Sequence, residues 1–243
     1  MVIFLSDTHL GSPHSDAGHA AERRVTAFLR SLPAEVKHIY LLGDILDYWF
    51  EYRTVAPRGF VRFFGELARL TDSGVRVTWI TGNHDIWLFD YLEGELGVEI
   101  VDEPYIIREI YGKRFLLGHG DRIGRRPASF RLLSRFFRNR ICQKLFAAVH
   151  PGLTVRLAHK WSSSSRTSDT GPTSQDIARI TADAAALSAE HPKVDYIVEG
   201  HHHITLDTKA GNARLMVLGD WNGSGWYASF DGAELRLREV NHD

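Results

Sequence analysis

The sequence predicts a layered α/β fold, on three observations. Apolar runs of strand length alternate with amphipathic stretches of helix length through the first 80 residues, the order that builds strand–helix–strand layers. Each of those apolar runs stops at a carboxylate, an amide or an imidazole, and sites in such sheets form at the carboxyl ends of the strands. A length of 243 residues, with 44% hydrophobic and 24% charged content, suffices to bury a full core.

Taken in order, Val2–Leu5 reads as a buried strand running into Ser6-Asp7-Thr8-His9. Residues two apart on an extended chain project to one side, so Asp7 and His9 share a face. Ser12 to Gly18 is a polar loop, and a helix follows with Val25, Phe28, Leu29 and Leu32 inward, closed by Pro33. His38–Leu42 is a second strand, ending in Gly43-Asp44. The next helix turns Phe60, Phe63, Phe64, Leu67 and Leu70 inward and stops at Gly74. Val75–Ile80 is a third strand, ending in Thr81-Gly82-Asn83-His84-Asp85.

Tyr105–Ile110 and Arg114–Leu117 flank Tyr111-Gly112-Lys113 as a hairpin, and the second arm ends in Gly118-His119-Gly120-Asp121. Leu133, Phe137, Ile141, Leu145 and Val149 recur every four residues beside Phe130 and Phe136, which predicts one amphipathic helix up to His150-Pro151. A second apolar and basic run, Leu153–Trp161, leads to a loop over Ser162–Pro172. A helix from about Gln175 to Ala189 precedes the strand Val194–Glu199, which ends in Gly200-His201-His202-His203. Thr205–Lys209, Leu215–Leu218, Trp226–Phe230 and Glu234–Val240 read as short antiparallel strands with Gly-Asn and Asp-Gly turns. No internal repeat is visible, so one domain over residues 1–243 is expected, with a helical cap inserted at about 122–172.

The single cysteine, Cys142, excludes an internal disulfide and fits a reducing compartment. No segment approaches the roughly 18 apolar residues of a bilayer span. The apolar start has no basic region and is interrupted by Asp7 and His9, so it does not read as a signal peptide, and a cytoplasmic protein is expected. The net charge of -1 hides an asymmetry: Arg122 to Ser168 carries eleven Arg and Lys and no Asp or Glu, leaving -12 on the rest. A basic insert on an acidic body points to an anionic substrate or an anionic surface.

Collected together, the strand ends offer Asp7, His9, Asp44, Asn83, His119, His201 and His203. Carboxylate, imidazole and amide oxygen together suit Mn, Fe or Zn in a reactive site, not a thiolate-bound structural zinc. Seven donors exceed what one ion with open positions would use. Two ions about 3.5–4 Å apart, sharing one carboxylate, would use them all, and would activate water without a Ser or Cys nucleophile.

These blocks, Asp7-x-His9, Gly43-Asp44-Ile45-Leu46-Asp47, Gly82-Asn83-His84-Asp85, Gly118-His119-Gly120-Asp121 and Gly200-His201-His202-His203, resemble the calcineurin-like metallophosphoesterase superfamily. The resemblance implies a two-sheet β-sandwich flanked by helices. It also implies one ion on Asp7, His9, Asp44 and His203 and a second on Asp44, Asn83, His119 and His201, with Asp44 bridging. It implies His84 as acid or electrostatic stabiliser, with Asp85 orienting it. Asp47 and Asp121 read as supports for the loops.

Within the superfamily the chain resembles the lipid A pathway branch that hydrolyses UDP-2,3-diacylglucosamine. Carrying this are the length, the aromatic run Tyr48-Trp49-Phe50 after Gly43-Asp44-Ile45-Leu46-Asp47, the full Gly118-His119-Gly120-Asp121 block, and the basic, apolar insert. Many members of that branch have Arg where this chain has His84. The implied reaction is water attack on the α-phosphorus, giving UMP and 2,3-diacylglucosamine 1-phosphate, with two divalent ions, Mn foremost and Fe or Zn as alternatives. The implied partners are the anionic nucleotide-lipid and the cytoplasmic face of the inner membrane, with no nucleic acid and no protein partner. Arg156, Lys160, Ser164 and Arg166 are candidate substrate contacts by location. Phe137 and Ile141, with Phe130, Phe136 and Leu145, either line an acyl channel or pack the cap onto the body. Two rival readings stay open: a phosphoesterase of some other nucleotide or phosphoester, and a catalytically silent binding scaffold. A nuclease is disfavoured, because the aromatic residues of the insert sit at helical core spacing and not along an open basic track.

Overall fold

The computed structural model describes residues 1–12, 19–52, 54–124, 128–154, 173–221, 223 and 225–240, with the side chain of residue 131 left aside. Two mixed sheets face each other. In the first, β1 (Val2–Leu5), β2 (His38–Leu42), β3 (Arg76–Ile80) and β4 (Glu99–Val101) run parallel. β10 (Trp226–Phe230) lies antiparallel beside β1 and pairs with β11 (Leu235–Glu239) at the edge. In the second, β6 (Lys113–Leu117), β7 (Tyr196–Glu199) and β9 (Ala213–Val217) are parallel, flanked by the antiparallel edges β5 (Ile106–Ile110) and β8 (Leu206–Ala210).

The period-2 alternation of strands sorts side chains into layers. Ile3, Leu5, Ile39, Leu41, Val77 and Trp79 face outward, onto α1 (Ala20–Ser31) and α2 (Val61–Asp72). Their neighbours Val2, Phe4, Tyr40, Leu42 and Ile80 face inward, against Phe115, Leu117, Val198 and Met216 of the second sheet. That sheet's outer face packs Leu116, Ile197 and Leu215 on Ile180, Ala184 and Leu187 of α6 (Ser174–Glu190). The result is helix, sheet, sheet, helix, with β1 and β2 buried on both faces as covered parallel strands are.

Glu22 shows how the layers lock. It is buried on α1, and its Oε1 accepts from Arg62 N at 2.9 Å, in the first turn of α2, where the N–H groups lack helical partners. Phe60 stands at the N-cap of α2 and offers no side-chain cap of its own, so α1 supplies the acceptor. At the other end of the chain, α6 begins with a capping box between Thr173 and Asp176.

Most of the expected elements are found within one or two residues, and two short ones, α3 (Tyr91–Leu96) and β4, are additional. The cap differs. In place of one helix there are two, α4 (Ala128–Arg138) and α5 (Arg140–Ala147), broken at Asn139. Asn139 has extended backbone angles, and its side chain accepts from Ile141 N and Cys142 N, so it restarts the helix as an N-cap. Most of Leu153–Trp161, all of Ser12–Gly18 except Ser12, and the whole of Ser162–Pro172 lie outside the described residues.

Candidate metal centre

β1, β2 and β3 are parallel, as are β6 and β7, so their carboxyl ends gather five polar loops along one rim of the sandwich. Backbone hydrogen bonds tie the loops together: Asp7 N to Gly43 O at 3.1 Å, His9 N to Asp44 O at 3.0 Å, and Gly200 N to His119 O at 2.9 Å. Eight non-glycine residues have positive φ among those described, and five are Asp7, His9, Asp44, His201 and His203. That backbone region is costly for such residues, and strain of this kind collects where a site dictates side-chain direction. Two glycines make room: a Cβ on Gly82 would collide with the Asp44 carboxylate, and one on Gly200 with Asp7 and Ser6.

The loops bring all seven candidate ligands together. Asp7 Oδ2 accepts from Ser6 Oγ at 2.6 Å and His201 N at 2.9 Å. Its Oδ1 is buried without a hydrogen bond, 3.4 Å from His203 Nε2 and 3.9 Å from His9 Nε2. The two imidazole nitrogens His9 Nε2 and His203 Nε2 face each other at 3.1 Å. On the other side, His119 Nδ1 donates to Leu42 O at 2.8 Å, so the neutral ring carries a lone pair on Nε2. That atom faces two oxygens, Asp44 Oδ2 and Asn83 Oδ1, each at 3.2 Å.

Lone pairs converging at such distances repel unless a proton or a cation lies among them. The donors also group as expected for ions: Asp7, His9 and His203 form one cluster, Asp44, His119 and His201 another, and His9, Asp44 and His84 lie between. Bonds of about 2.0–2.2 Å from one ion to neighbouring donors leave those donors about 3 Å apart. The set therefore fits divalent cations.

The ionisation of the groups follows the same field. Burial pushes the Asp7 carboxyl up, but the adjacent His203 and His119 outweigh it and bring it down to about 2. Asp44 is likewise held well below the usual carboxylate range: burial is overcome by His119 and His84. Burial works against a proton on His119 as well, yet the neighbouring Asp44 carries it well above the ordinary imidazole value. Burial also works against a proton on His203, but the Asp220 and Asp7 carboxylates facing its two ring nitrogens raise it to about 10. In these rings the proton occupies the position that a cation would take.

His84 reaches the site but is oriented differently from expectation. Its Nδ1 donates to Asp47 O at 3.0 Å and lies 3.7 Å from Asp47 Oδ1. Asp85, expected to orient His84, does not. Its Oδ2 accepts from Ile45 N (2.9 Å) and Trp79 Nε1 (3.1 Å), and its Oδ1 from Gly82 N (2.6 Å). Asp85 is fully buried as a brace between the second and third loops, and burial with the charge of Asp44 lifts its carboxyl to about 6. Adjacency in sequence suggested the pairing, but the sharp turn at Gly82 sends the two side chains apart.

Asp220, 3.4 Å from His203 Nδ1, is a site residue that the sequence reading missed. The signal was present: Leu218-Gly219-Asp220 at the end of β9 repeats Leu42-Gly43-Asp44 at the end of β2.

Above the rim, the described residues of the cap meet the body around Trp87, Phe50, Tyr52 and Arg138. Trp87 Nε1 donates to Phe137 O at 3.0 Å, Phe146 stacks on Trp87 with ring centroids 5.0 Å apart, and Arg138 donates to Gly82 O at 3.2 Å. An apolar recess of about 300 Å³ lies here, bordered by Trp87, Phe136, Phe137, Leu145, Phe146 and Val149. Phe137 borders this recess and also packs edge-on against Trp87. Ile141, 69% exposed, does not border the recess. Arg156, Lys160, Ser164 and Arg166 lie outside the described residues. No helix is long and apolar enough to cross a membrane among the described residues.

A family model described as calcineurin-like phosphoesterase matches residues 1–205. A UDP-2,3-diacylglucosamine hydrolase of Porphyromonas gingivalis is 40% identical, over 98% of this chain and 97% of its own length. Another, from Pseudomonas paraeruginosa, is 29% identical over 95% of each chain. Among solved structures, an archaeal phosphodiesterase aligns over 98% of this chain and 99% of its own, at 13% identity and a TM-score of 0.48.

Proposed function

The chain belongs to the calcineurin-like phosphoesterase family, and on that premise we propose that it hydrolyses the pyrophosphate of UDP-2,3-diacylglucosamine, giving UMP and 2,3-diacylglucosamine 1-phosphate. The relative that shares 40% identity over nearly the full length of both chains supports this substrate. The observation that carries the chemistry is the convergence of carboxylate, imidazole and amide donors, with Asp7, His9, Asp44 and His119 buried, at the strand ends.

Asp7, His9 and His203 would hold one divalent ion and Asn83, His119 and His201 a second, with Asp44 shared. The mixed oxygen and nitrogen donor set is suited to Mn, with Fe or Zn as alternatives. When bound, such ions supply an activated water and positive charge for the phosphoryl oxygens.

The chain's own residues do the positioning. The proton of His84 Nδ1 is spent on Asp47 O, so a second proton would sit at Nε2, available to the phosphoryl group or the leaving phosphate. Asp220 beside His203 and Leu42 O beside His119 set the two imidazole orientations. Asp85 keeps the Gly82 turn against Ile45. The apolar recess beside Phe137 and Phe146 suits an acyl chain. The exposed Leu132, Phe136, Ile141 and Leu145, interleaved with Arg135, Arg140 and Lys144, suit the surface of an anionic membrane, each nearby cation contributing about 1 kcal/mol. The cap would then rest on the cytoplasmic leaflet with the rim turned toward it.

The Mn-loaded protein, given UDP-2,3-diacylglucosamine in water labelled with heavy oxygen, should release UMP carrying the label. Label in the lipid phosphate would mean attack at the β-phosphorus, and no release at all would remove this substrate.

A further inference from the structure

The end of the sandwich opposite the metal centre holds a second cavity, which the chemistry above does not use. Its volume is about 530 Å³, within the roughly 300–1,000 Å³ of small-ligand pockets. It opens between the amino ends of β2 and β3, at His38 and Arg76, and the strand β5.

The inner faces of the strands change character here. His38 and Thr78 share those faces with the apolar Leu42 and Ile80. In place of apolar packing there is a chain of polar contacts. His38 Nε2 lies 2.8 Å from Thr78 Oγ1, Thr78 donates to Glu99 Oε2 at 2.7 Å, and Arg108 donates to Glu99 Oε1 at 3.2 Å. Since Thr78 spends its proton on Glu99, it accepts from His38. The imidazole therefore carries its hydrogen on Nε2 and a lone pair on Nδ1.

Tyr40 stacks on His38 with ring centroids 4.0 Å apart and is only 3% exposed, yet its hydroxyl has no hydrogen-bond partner among the described residues. Neither the Lys37 ammonium nor the Arg76 guanidinium has an ionic or hydrogen-bond partner there either. With Arg108 and the amino terminus, which donates to Tyr111 Oη at 3.0 Å, they outnumber the acids Glu99 and Glu109. Burial, then the charge of Arg76, holds the His38 imidazole down at about 4. Lys37 and Arg76 stand exposed at the mouth, while His38, Tyr40 and Thr78 are buried behind them, where polar groups cost stability that apolar ones would not.

We propose that this cavity is a second binding site, for a small phosphate monoester. Lys37, Arg76 and the Tyr40 hydroxyl receive the phosphate oxygens, and His38 Nδ1 accepts from a hydroxyl or amine on the organic part.

Calorimetric titration of the metal-loaded protein with uridine monophosphate tests this. Two classes of site are expected in the wild type. One should weaken at least about 10-fold in Arg76→Gln and about 3- to 10-fold in Tyr40→Phe, with turnover unchanged in both. Arg76 is exposed and Tyr40→Phe removes one oxygen, so melting temperatures near that of the wild type keep the comparison sound. Identical isotherms for wild type and both variants, or a single class that disappears on chelating the metals, would overturn the proposal. Inorganic phosphate should bind the Arg76-dependent class about 10-fold more weakly than the nucleotide. Equal affinity would overturn the contact with the organic part.

Discussion

The rim of the sandwich and the cap above it are built on opposite terms. On the rim, Asp7, Asp44, His9 and His119 are buried, their loops are tied by backbone hydrogen bonds, and five site residues accept positive φ. On the cap, Leu132, Phe136, Ile141 and Leu145 are 56–71% exposed, and among the described residues it attaches through contacts around Trp87, Phe50, Tyr52 and Arg138. Polar groups are inside where chemistry is expected, and apolar groups are outside where a lipid is expected. On the proposed function, the difference assigns the reaction to the rim and the lipid to the cap, two separate parts of one chain.

The largest effect should come from Asp44→Ala on the rim. Removing the carboxylate shared by both clusters should lower turnover by more than about 10³-fold and release bound metal, measured by elemental analysis. Near-normal turnover would break the assignment of chemistry to the rim. His84→Ala should retain both metals and lose about 10²–10⁴-fold in kcat, the range of a positioned proton donor. Loss of metal in this variant would instead make His84 a ligand.

Smaller effects should separate cap from rim. Ile141→Asp combined with Leu145→Asp should reduce binding to anionic vesicles and raise KM for the lipid substrate about 10-fold, while hydrolysis of a soluble aryl phosphodiester stays unchanged. Equal losses on both substrates would show that the cap shapes the chemistry. Asp220→Asn should weaken Mn affinity about 10-fold in a chelator competition, since it orients His203 and is not itself a donor.

The smallest effect lies away from both regions. His38 titrates near 6.5 when unfolded and is held at about 4 in the fold by burial and Arg76. The fold therefore favours its neutral form. That stabilisation is complete above pH 6.5 and is lost as pH falls from 6.5 through 4. Thermal denaturation should show a falling Tm over that window, and His38→Gln should flatten it. An equal slope in the variant would assign the acid sensitivity to the rim.

Much of this was legible in one dimension because strand ends carry their own punctuation. An apolar run broken by Gly-Asp or Gly-His marks a covered strand reaching a site, as at Gly43-Asp44 and Gly118-His119. What escaped depended on directions in space. Asp85 was paired with His84 as its neighbour, yet a turn separates them and Asp47, distant in sequence, takes that place. Asn139 sat inside an unbroken apolar period, and only its cap geometry shows that the helix restarts there. Asp220 repeated a motif already recognised, but nothing local reveals that β9 ends beside β7.

By itself, then, the sequence determined which residue types stand at the ends of which strands, because hydrophobic periodicity and chain-reversing glycines are local properties. Tertiary structure alone decided which of those residues meet. Sheet order, parallel register and positive φ set the 3.1–3.4 Å spacings around Asp7, His9, His119 and His203. Those spacings arise from hydrogen bonds between strands far apart in the chain, and no local pattern encodes them.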